Sequence, residues 1–527
     1  MTEQSHANAP LAPSQAPSRL RRVLARLVAV VATLLLAVAA VGIAYFMGRE
    51  IKSDQWAILV TATGVATYIA VAVVNAKHAF ILWLVTAPFA RFAYLNLELG
   101  KGIPDLSLNR VMTGVLMVLI LATAAGQRRR LVRFAWTDFW LLLFALGAML
   151  SVPSSLETLK TSIQSFFDLV LIPVAVYFFA RNLLTSREDV KTLIYALFII
   201  GVYLGLLATH EQLTGVVWFY PEDRSVVYSD NIRRVVGLMG NPACMAISIA
   251  MIVPWGWYLY LNARRHRFWL LALVVLMMAG CYFCMNRSGW VGLALGLIVM
   301  AILVKRFRRI FIPLLLVVAI VAGIYWAVIV SSTVVEERLT AEGPIAYRMA
   351  AWEVAFTMLR SNLVFGVGYE NYGSLYSQYS YWDIDISVEP YPHNTYLWVL
   401  LMGGLVAFLP FFLFLLTTAW KAFRATRNTA IDETIGSGNS PEGPPTLASS
   451  RSELAGVFLA SMAAVFAPAA VGDIFYCYYA MIVLFCILGT LNGVLNGSGT
   501  SKPVETTSGG IARHLQDDIP TGQGRGR

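Results

Sequence analysis

The chain has 527 residues, of which 58 % are hydrophobic and 13 % charged, with a formal net charge of +10; an ordinary soluble domain is about 25 % charged. A water-soluble core cannot absorb that apolar excess, which excludes disordered, fibrous and disulfide-stapled secreted classes and leaves a polytopic integral membrane protein. The basic residues stand in short clusters between apolar blocks (Arg128, Arg129, Arg130 and Arg133; Arg264, Arg265 and Arg267; Lys305, Arg306, Arg308 and Arg309). Cytoplasmic loops carry such clusters under the positive-inside rule, and without a folded basic domain they argue against nucleic acid as a partner.

In chain order, residues 1–22 read as a disordered cytoplasmic arm, with Pro10, Pro13 and Pro17 among Ala and Ser. The uncharged run 27–48 exceeds the apolar stretch of about 7 to 15 residues in a signal peptide, so it reads as a first span. Windows of about 17 to 25 apolar residues predict spans at 24–47, 56–76, 79–95, 110–126, 138–152, 166–183, 190–210, 241–262, 267–285, 288–304, 309–330, 395–419, 454–472 and 474–494. The runs at 79–95 and 138–152 are the weakest, being short or interrupted by Pro88 and Arg91. With the N-terminus inside, roughly 27 Lys and Arg fall on the cytoplasmic side and roughly 13 on the other, the asymmetry that the charge rule demands. Removing one adjacent pair of spans preserves it. The expectation is an all-α protein of about 12–14 transmembrane helices with both termini cytoplasmic.

Three segments are too polar to span. Residues 420–453 and 495–527 are rich in Gly, Ser and Pro and read as a flexible cytoplasmic loop and a disordered cytoplasmic tail. Residues 331–392, on the outer side, hold Trp352, Trp382 and seven Tyr and are expected to fold as one large loop. Within it Pro344 suits the first turn of a helix, and Ile345, Met349, Trp352, Phe356 and Leu359 recur at spacings of four and three, predicting one apolar stripe. Arg348 lies one turn before Trp352. Gly366 and Gly368 mark a turn, without the third glycine or preceding strand of a dinucleotide fingerprint. Among the five cysteines, Cys281 and Cys284 form a C-x-x-C inside an apolar run; with no second Cys or His pair nearby for zinc, they read as small buried hydrophobes.

Chemistry on a lipid-linked phosphate needs fixed positive charge at headgroup level and a group able to take a proton. Arginine supplies the first, as a planar fork that never loses its charge. Arg287, in Asn286-Arg-Ser-Gly289, stands between two apolar runs and is either a ligand-binding group or a snorkelling anchor. Arg348 is either a second such group or an interfacial helix residue. His393, in Tyr391-Pro-His-Asn394, marks where the outer loop re-enters the membrane. Imidazole titrates near neutrality and so suits proton transfer, although a structural histidine is the alternative. All three fall on the outer side of a topology derived without them. Asp383, Asp385 and Glu389 form an acidic cluster in the same loop; alternating carboxylates in a polar loop read as solvated, so no metal is expected.

Four pieces in order, Asn286-Arg-Ser-Gly289, Arg348-Met-Ala-Ala-Trp352, Gly366-Val-Gly-Tyr-Glu-Asn371 and His393-Asn-Thr-Tyr-Leu397 running into Gly403-Gly404, resemble the shared domain of bacterial O-antigen ligases and O-antigen polymerases. The resemblance covers about 237–419, between an N-terminal transmembrane region (23–236) and, beyond the loop 420–453, a C-terminal hairpin (454–494). One departure is that Asn286 stands where a small hydroxyl residue commonly precedes the first arginine. The resemblance implies a C-type glycosyltransferase of the bacterial inner membrane. It would transfer a glycan from a polyprenyl-pyrophosphate donor to the hydroxyl of a glycan or glycolipid acceptor at the periplasmic face, with no metal and no cofactor. Carried over by residue, Arg287 and Arg348 would hold the pyrophosphate and His393 would assist the acceptor hydroxyl. Asn286, Ser288, Trp352 and Asn394 would support them. A lipid-linked oligosaccharide flippase is the alternative outside enzymes, disfavoured because Asp168 is nearly alone as an ionisable residue deep in a span and no repeat is evident. A peptidoglycan-type polymerase is disfavoured because the proton acceptor here is a histidine.

Overall fold

The computed structural model describes residues 64, 66–89, 96–97, 105–126, 134–218, 226–229, 232–263, 265–324, 343–380, 391–427, 451–472 and 474–496. The N-terminal arm, the expected span 24–47, the acidic cluster Asp383, Asp385 and Glu389, and residues 428–450 and 497–527 lie outside the described residues. The described helices are α1 (Ala76–Thr86), α2 (Leu108–Gly126), α3 (Trp136–Ser151), α4 (Leu159–Phe166), α5 (Ile172–Leu183), α6 (Arg187–Thr214), α7 (Pro242–Asn262), α8 (Arg267–Phe283), α9 (Arg287–Leu303) and α10 (Lys305–Ile324). There follow α11 (Gly343–Asn362), α12 (Asn371–Tyr379), α13 (Thr395–Arg427), α14 (Arg451–Phe466) and α15 (Tyr478–Asn496). Two short antiparallel ladders, β1 (Asn96–Leu97) with β2 (Leu106–Ser107) and β3 (Val226–Ser229) with β4 (Ile232–Arg234), complete the described elements.

The protein is an all-α polytopic membrane protein. By length and composition seven described segments can cross a bilayer: Trp136–Ser154, Leu159–Leu183, Arg187–Thr214, Pro242–Asn262, Thr395–Arg427, Arg451–Ala470 and Tyr478–Leu495. Four shorter apolar helices accompany them, at Ala76–Thr86, Asn109–Ala122, Arg267–Phe283 and Arg287–Leu303. A π-turn at Phe167–Leu171 joins α4 to α5 and keeps the pair one continuous segment. The axis of the bundle is α7, whose apolar window is 94 % buried. It starts at Pro242, where a missing N–H costs nothing, and the Asn241 side chain accepts from the Ala243 and Cys244 amides at 2.8 and 3.3 Å.

Helix starts gather at one end of the bundle. Along α9, Gly292 lies so close to the Ala464 carbonyl and Pro468 that no Cβ fits, while Gly296 faces Ala460 and Ala464; α9 and α14 therefore run antiparallel, and the start of α9 meets the end of α14. The start of α13 reaches the same turn: the Tyr396 hydroxyl donates to the Phe466 carbonyl at 2.9 Å, and Thr395 Oγ1 donates to the Gly472 carbonyl at 2.8 Å and accepts from the Ile474 amide at 2.9 Å. A disulfide between Cys244 and Cys477, with Cα atoms 4.8 Å apart, ties the start of α7 to the approach to α15. Cys281 and Cys284 are free and buried.

Two local expectations are corrected. The helix expected from Pro344 forms as α11, but Met349 and Phe356 are 60 % and 53 % exposed, and the buried face is Ala350, Ala351, Val354, Ala355, Met358 and Leu359. Small alanines let α11 approach its neighbours closely, and the two large side chains point away. The span expected to end at 419 continues as helix to Arg427. Its last turn carries Arg424 and Arg427, favourable at a helix C-terminus, and these lie over the Trp420 and Phe423 rings at 4.9 and 4.4 Å.

Candidate active site

His393 is built into the start of α13. Its backbone is left-handed at φ 49°, a conformation that is uncommon outside glycine and that clusters at functional sites. The next residue, Asn394, caps the helix: its Oδ1 accepts from the Tyr396 and Leu397 amides at 3.0 and 3.1 Å. Two tyrosine rings meet the imidazole nearly edge-on, Tyr347 at 5.4 Å and Tyr391 at 5.5 Å. Trp352 Nε1 donates to the Pro392 carbonyl at 2.8 Å, so α11 holds the segment that carries His393. Arg348 follows Tyr347 on α11 and precedes Trp352 by one turn, which sets it in the same corner, half-buried.

The first arginine enters with α9. Met285 takes the left-handed conformation at φ 45° and Asn286 caps the helix. Asn286 Oδ1 accepts from the Gly289 amide at 2.8 Å and from the Ser288 hydroxyl at 2.6 Å. Both side chains are buried and work first as a helix cap, leaving Nδ2 of Asn286 as its donor. Arg287 is the first residue of α9, and its Nη2 is buried with no hydrogen-bond acceptor among the described residues. An unsatisfied buried guanidinium nitrogen costs free energy unless an anion meets it. The starts of α7, α9 and α13 also place the positive ends of three helix dipoles at this end of the bundle.

The two glycine motifs lock the outer segment to α13. At Gly403 and Gly404 the helix breaks, and Gly404 has φ 57°. The amides of Leu405 and Val406 then donate to the carbonyls of Leu363 and Val364 at 3.0 and 3.2 Å, while the Val367 amide donates to the Leu401 carbonyl at 2.8 Å. Gly366, at φ 73°, lies against this break with no space for a side chain. The close approach explains why both motifs need glycine.

Sequence reasoning singled out His393, Arg348 and Trp352, which the fold brings into one corner, and Arg287, which it brings to the same end of the bundle. It missed Tyr347, Tyr391 and Tyr476, whose ring stacks on that of Tyr391 with centroids 4.4 Å apart. Tyr391 lay inside a quoted motif, whereas Tyr476 belongs to a distant segment and left no signal. On one side of the site an apolar groove of about 500 Å³ runs between α9, α13 and α14, from Tyr396 and Phe466 to Leu303 and Phe423.

No curated protein matches the chain. Residues 272–412 match the family described as O-Antigen ligase, a range that takes in α9, α11 and the first half of α13 together with Arg287, Arg348 and His393. Residues 272–412 are thus similar to the O-antigen ligase family, and they lie within a membrane-spanning helical bundle.

Proposed function

We propose that the protein is an inverting glycosyltransferase of the bacterial inner membrane, acting at the periplasmic face on a glycan carried by polyprenyl pyrophosphate. The observation that carries this reading is the gathering, at one end of the bundle, of a histidine clasped by two tyrosines and an Arg287 nitrogen that is buried and unsatisfied among the described residues, with Arg348 next to Tyr347 on α11. A glycosyl pyrophosphate already has a good leaving group, so the main task is to offset charge growing on the phosphate oxygens. Arg287 and Arg348 do this, and loss of one such preorganised donor costs about 10²- to 10³-fold in rate elsewhere. The acceptor hydroxyl attacks the anomeric carbon from the face opposite the pyrophosphate. The new carbon–oxygen bond forms as the bond to phosphate breaks, the hydroxyl proton passes to His393, and the anomeric configuration inverts. The guanidiniums supply the fixed positive charge, so the reaction uses no metal ion.

Two further features support the surroundings assigned here. Disulfides persist in oxidising compartments, so the Cys244–Cys477 bond favours a periplasmic location for this end. The apolar groove starts at Tyr396, three residues after His393, and suits the polyprenyl chain of a donor whose pyrophosphate sits at the arginines.

Purified protein given a polyprenyl-pyrophosphate glycan tests the reading. The product linkage should be inverted relative to the donor; retention would refute direct displacement. Chain growth without a second acceptor identifies a polymerase, and transfer only to an added glycolipid identifies a ligase. Full activity in both Arg287→Ala and His393→Ala defeats the assignment.

A further inference from the structure

The segment that follows the start of α11 runs along the side of α13 and back. α11 begins beside the start of α13, where Tyr347 meets His393. It ends about ten residues further along that helix, where the Leu405 and Val406 amides donate to the Leu363 and Val364 carbonyls. The chain then returns: the Val367 amide donates to the Leu401 carbonyl at 2.8 Å, the Tyr369 amide to the Ser151 carbonyl at 3.3 Å, and Asn371 Nδ2 to the Ser154 carbonyl at 2.7 Å. Three apolar side chains form the tip of this excursion, and all are exposed, Leu363 at 47 %, Val364 at 52 % and Phe365 at 74 %. Met349, Phe356 and Leu363 stand seven residues apart, so the exposed apolar stripe of α11 runs straight into the tip.

The depth of the tip follows from α13. A hydrocarbon core is about 30 Å thick and a helix rises about 1.5 Å per residue, so about twenty residues cross it. Counted from Trp420, whose ring carries Arg424 at the far end of the helix, they bring the other boundary of the core to about Leu400. The tip is bonded to Leu405 and Val406 and so lies about 8 Å inside that boundary. Irregular backbone survives there only with its polar groups satisfied by protein. That condition is met: the Leu363 and Val364 carbonyls are taken as above, and the Gly366 and Val367 amides donate to the Asn362 and Leu401 carbonyls, each at 2.8 Å. Beside the tip, Gly147 of α3 packs on Ala407, and α3 turns Leu142, Leu146 and Leu150 outward. We infer that α11 and the turn after it are a re-entrant anchor, with Met349, Phe356, Leu363, Val364 and Phe365 seated in the acyl chains of the leaflet at the His393 end. Interfacial helices bury an apolar face to about this depth. Arg360, exposed one turn before the tip, extends back to the headgroups. The same helix carries Arg348 and Trp352 nearer its start, so the anchor fixes their height above the core. The inference holds whatever reaction the site performs.

Nitroxide labels on Phe365→Cys, Phe356→Cys and Ile199→Cys test the anchor in the full chain, reconstituted in vesicles of phosphatidylethanolamine and phosphatidylglycerol. Power saturation then compares collisions with oxygen, which concentrates among acyl chains, and with a nickel chelate, which stays in water. Ile199, exposed in the middle of α6, is the lipid reference. The native cysteines take no label, because Cys281, Cys284 and Cys486 are buried and Cys244 and Cys477 are bonded to each other. At positions 365 and 356 oxygen collisions should exceed those of the chelate several-fold, as at 199, with the larger excess at 365. A preference for the chelate at either position sets the stripe in water and overturns the inference. Few collisions with both reagents at 365 mean that protein, from this chain or a second copy, covers the tip, which overturns it equally. Should Phe365→Cys fail to fold, Val364→Cys on the same turn decides the matter.

Discussion

At the end of the bundle where α3 begins, Asp138 and Arg181 are both almost completely buried and paired with each other. The Tyr177 hydroxyl donates to Asp138 Oδ1 at 2.8 Å, and the Ala135 amide donates to Oδ2 at 2.7 Å. At the opposite end, where α9 and α13 begin, Arg287 keeps a buried nitrogen with no acceptor among the described residues. The difference is the counter-ion: Arg181 has Asp138, whereas no carboxylate pairs with Arg287 among the described residues. Any buried charge is costly in a membrane protein, so the first arrangement serves stability, and under the proposed function the donor's pyrophosphate is the counter-ion of the second.

Three substitutions break or sharpen that contrast. Asp138→Ala leaves Arg181 buried without its counter-ion and should cost about 3 to 5 kcal/mol of stability, read as a fall in the detergent unfolding midpoint and in yield, while transfer per folded molecule stays near wild type. Replacing both partners by apolar residues should restore most of the loss. Arg287→Ala should do the reverse: an unchanged unfolding midpoint with kcat down by about 10²- to 10³-fold. If Arg287→Ala instead destabilises the fold and spares transfer, the two ends do not differ as argued. The smallest effect belongs to Asn394→Ala, which removes the cap of α13 and should cost about 1 kcal/mol, seen as a small midpoint shift with a modest loss of kcat because His393 precedes the cap.

Hydropathy located the long helices well. The window at 241–262 became α7 (Pro242–Asn262), and the one at 288–304 became α9 (Arg287–Leu303). Orientation was less legible, because next to lipid an apolar side chain is welcome on either face of a helix and the pattern no longer distinguishes core from surroundings. The stripe through Met349 and Phe356 also misjudged α11, a helix outside the spans, because its buried face is lined by small Ala350, Ala351 and Ala355 beside Val354, Met358 and Leu359. The candidate site was readable where one segment carries its own residues, as around His393. It was not readable where partners come from 80 or more residues away, as Tyr476 does for Tyr391 and Cys477 for Cys244.

The bond between Cys244 and Cys477 spans 233 residues of sequence, and it leashes the last two helices to the centre of the protein. A nick between Arg427 and Arg451 would leave the C-terminal piece attached, so the two fragments would migrate together without reductant and part with it. The bond also holds Tyr476, the residue before Cys477, close to the start of α7.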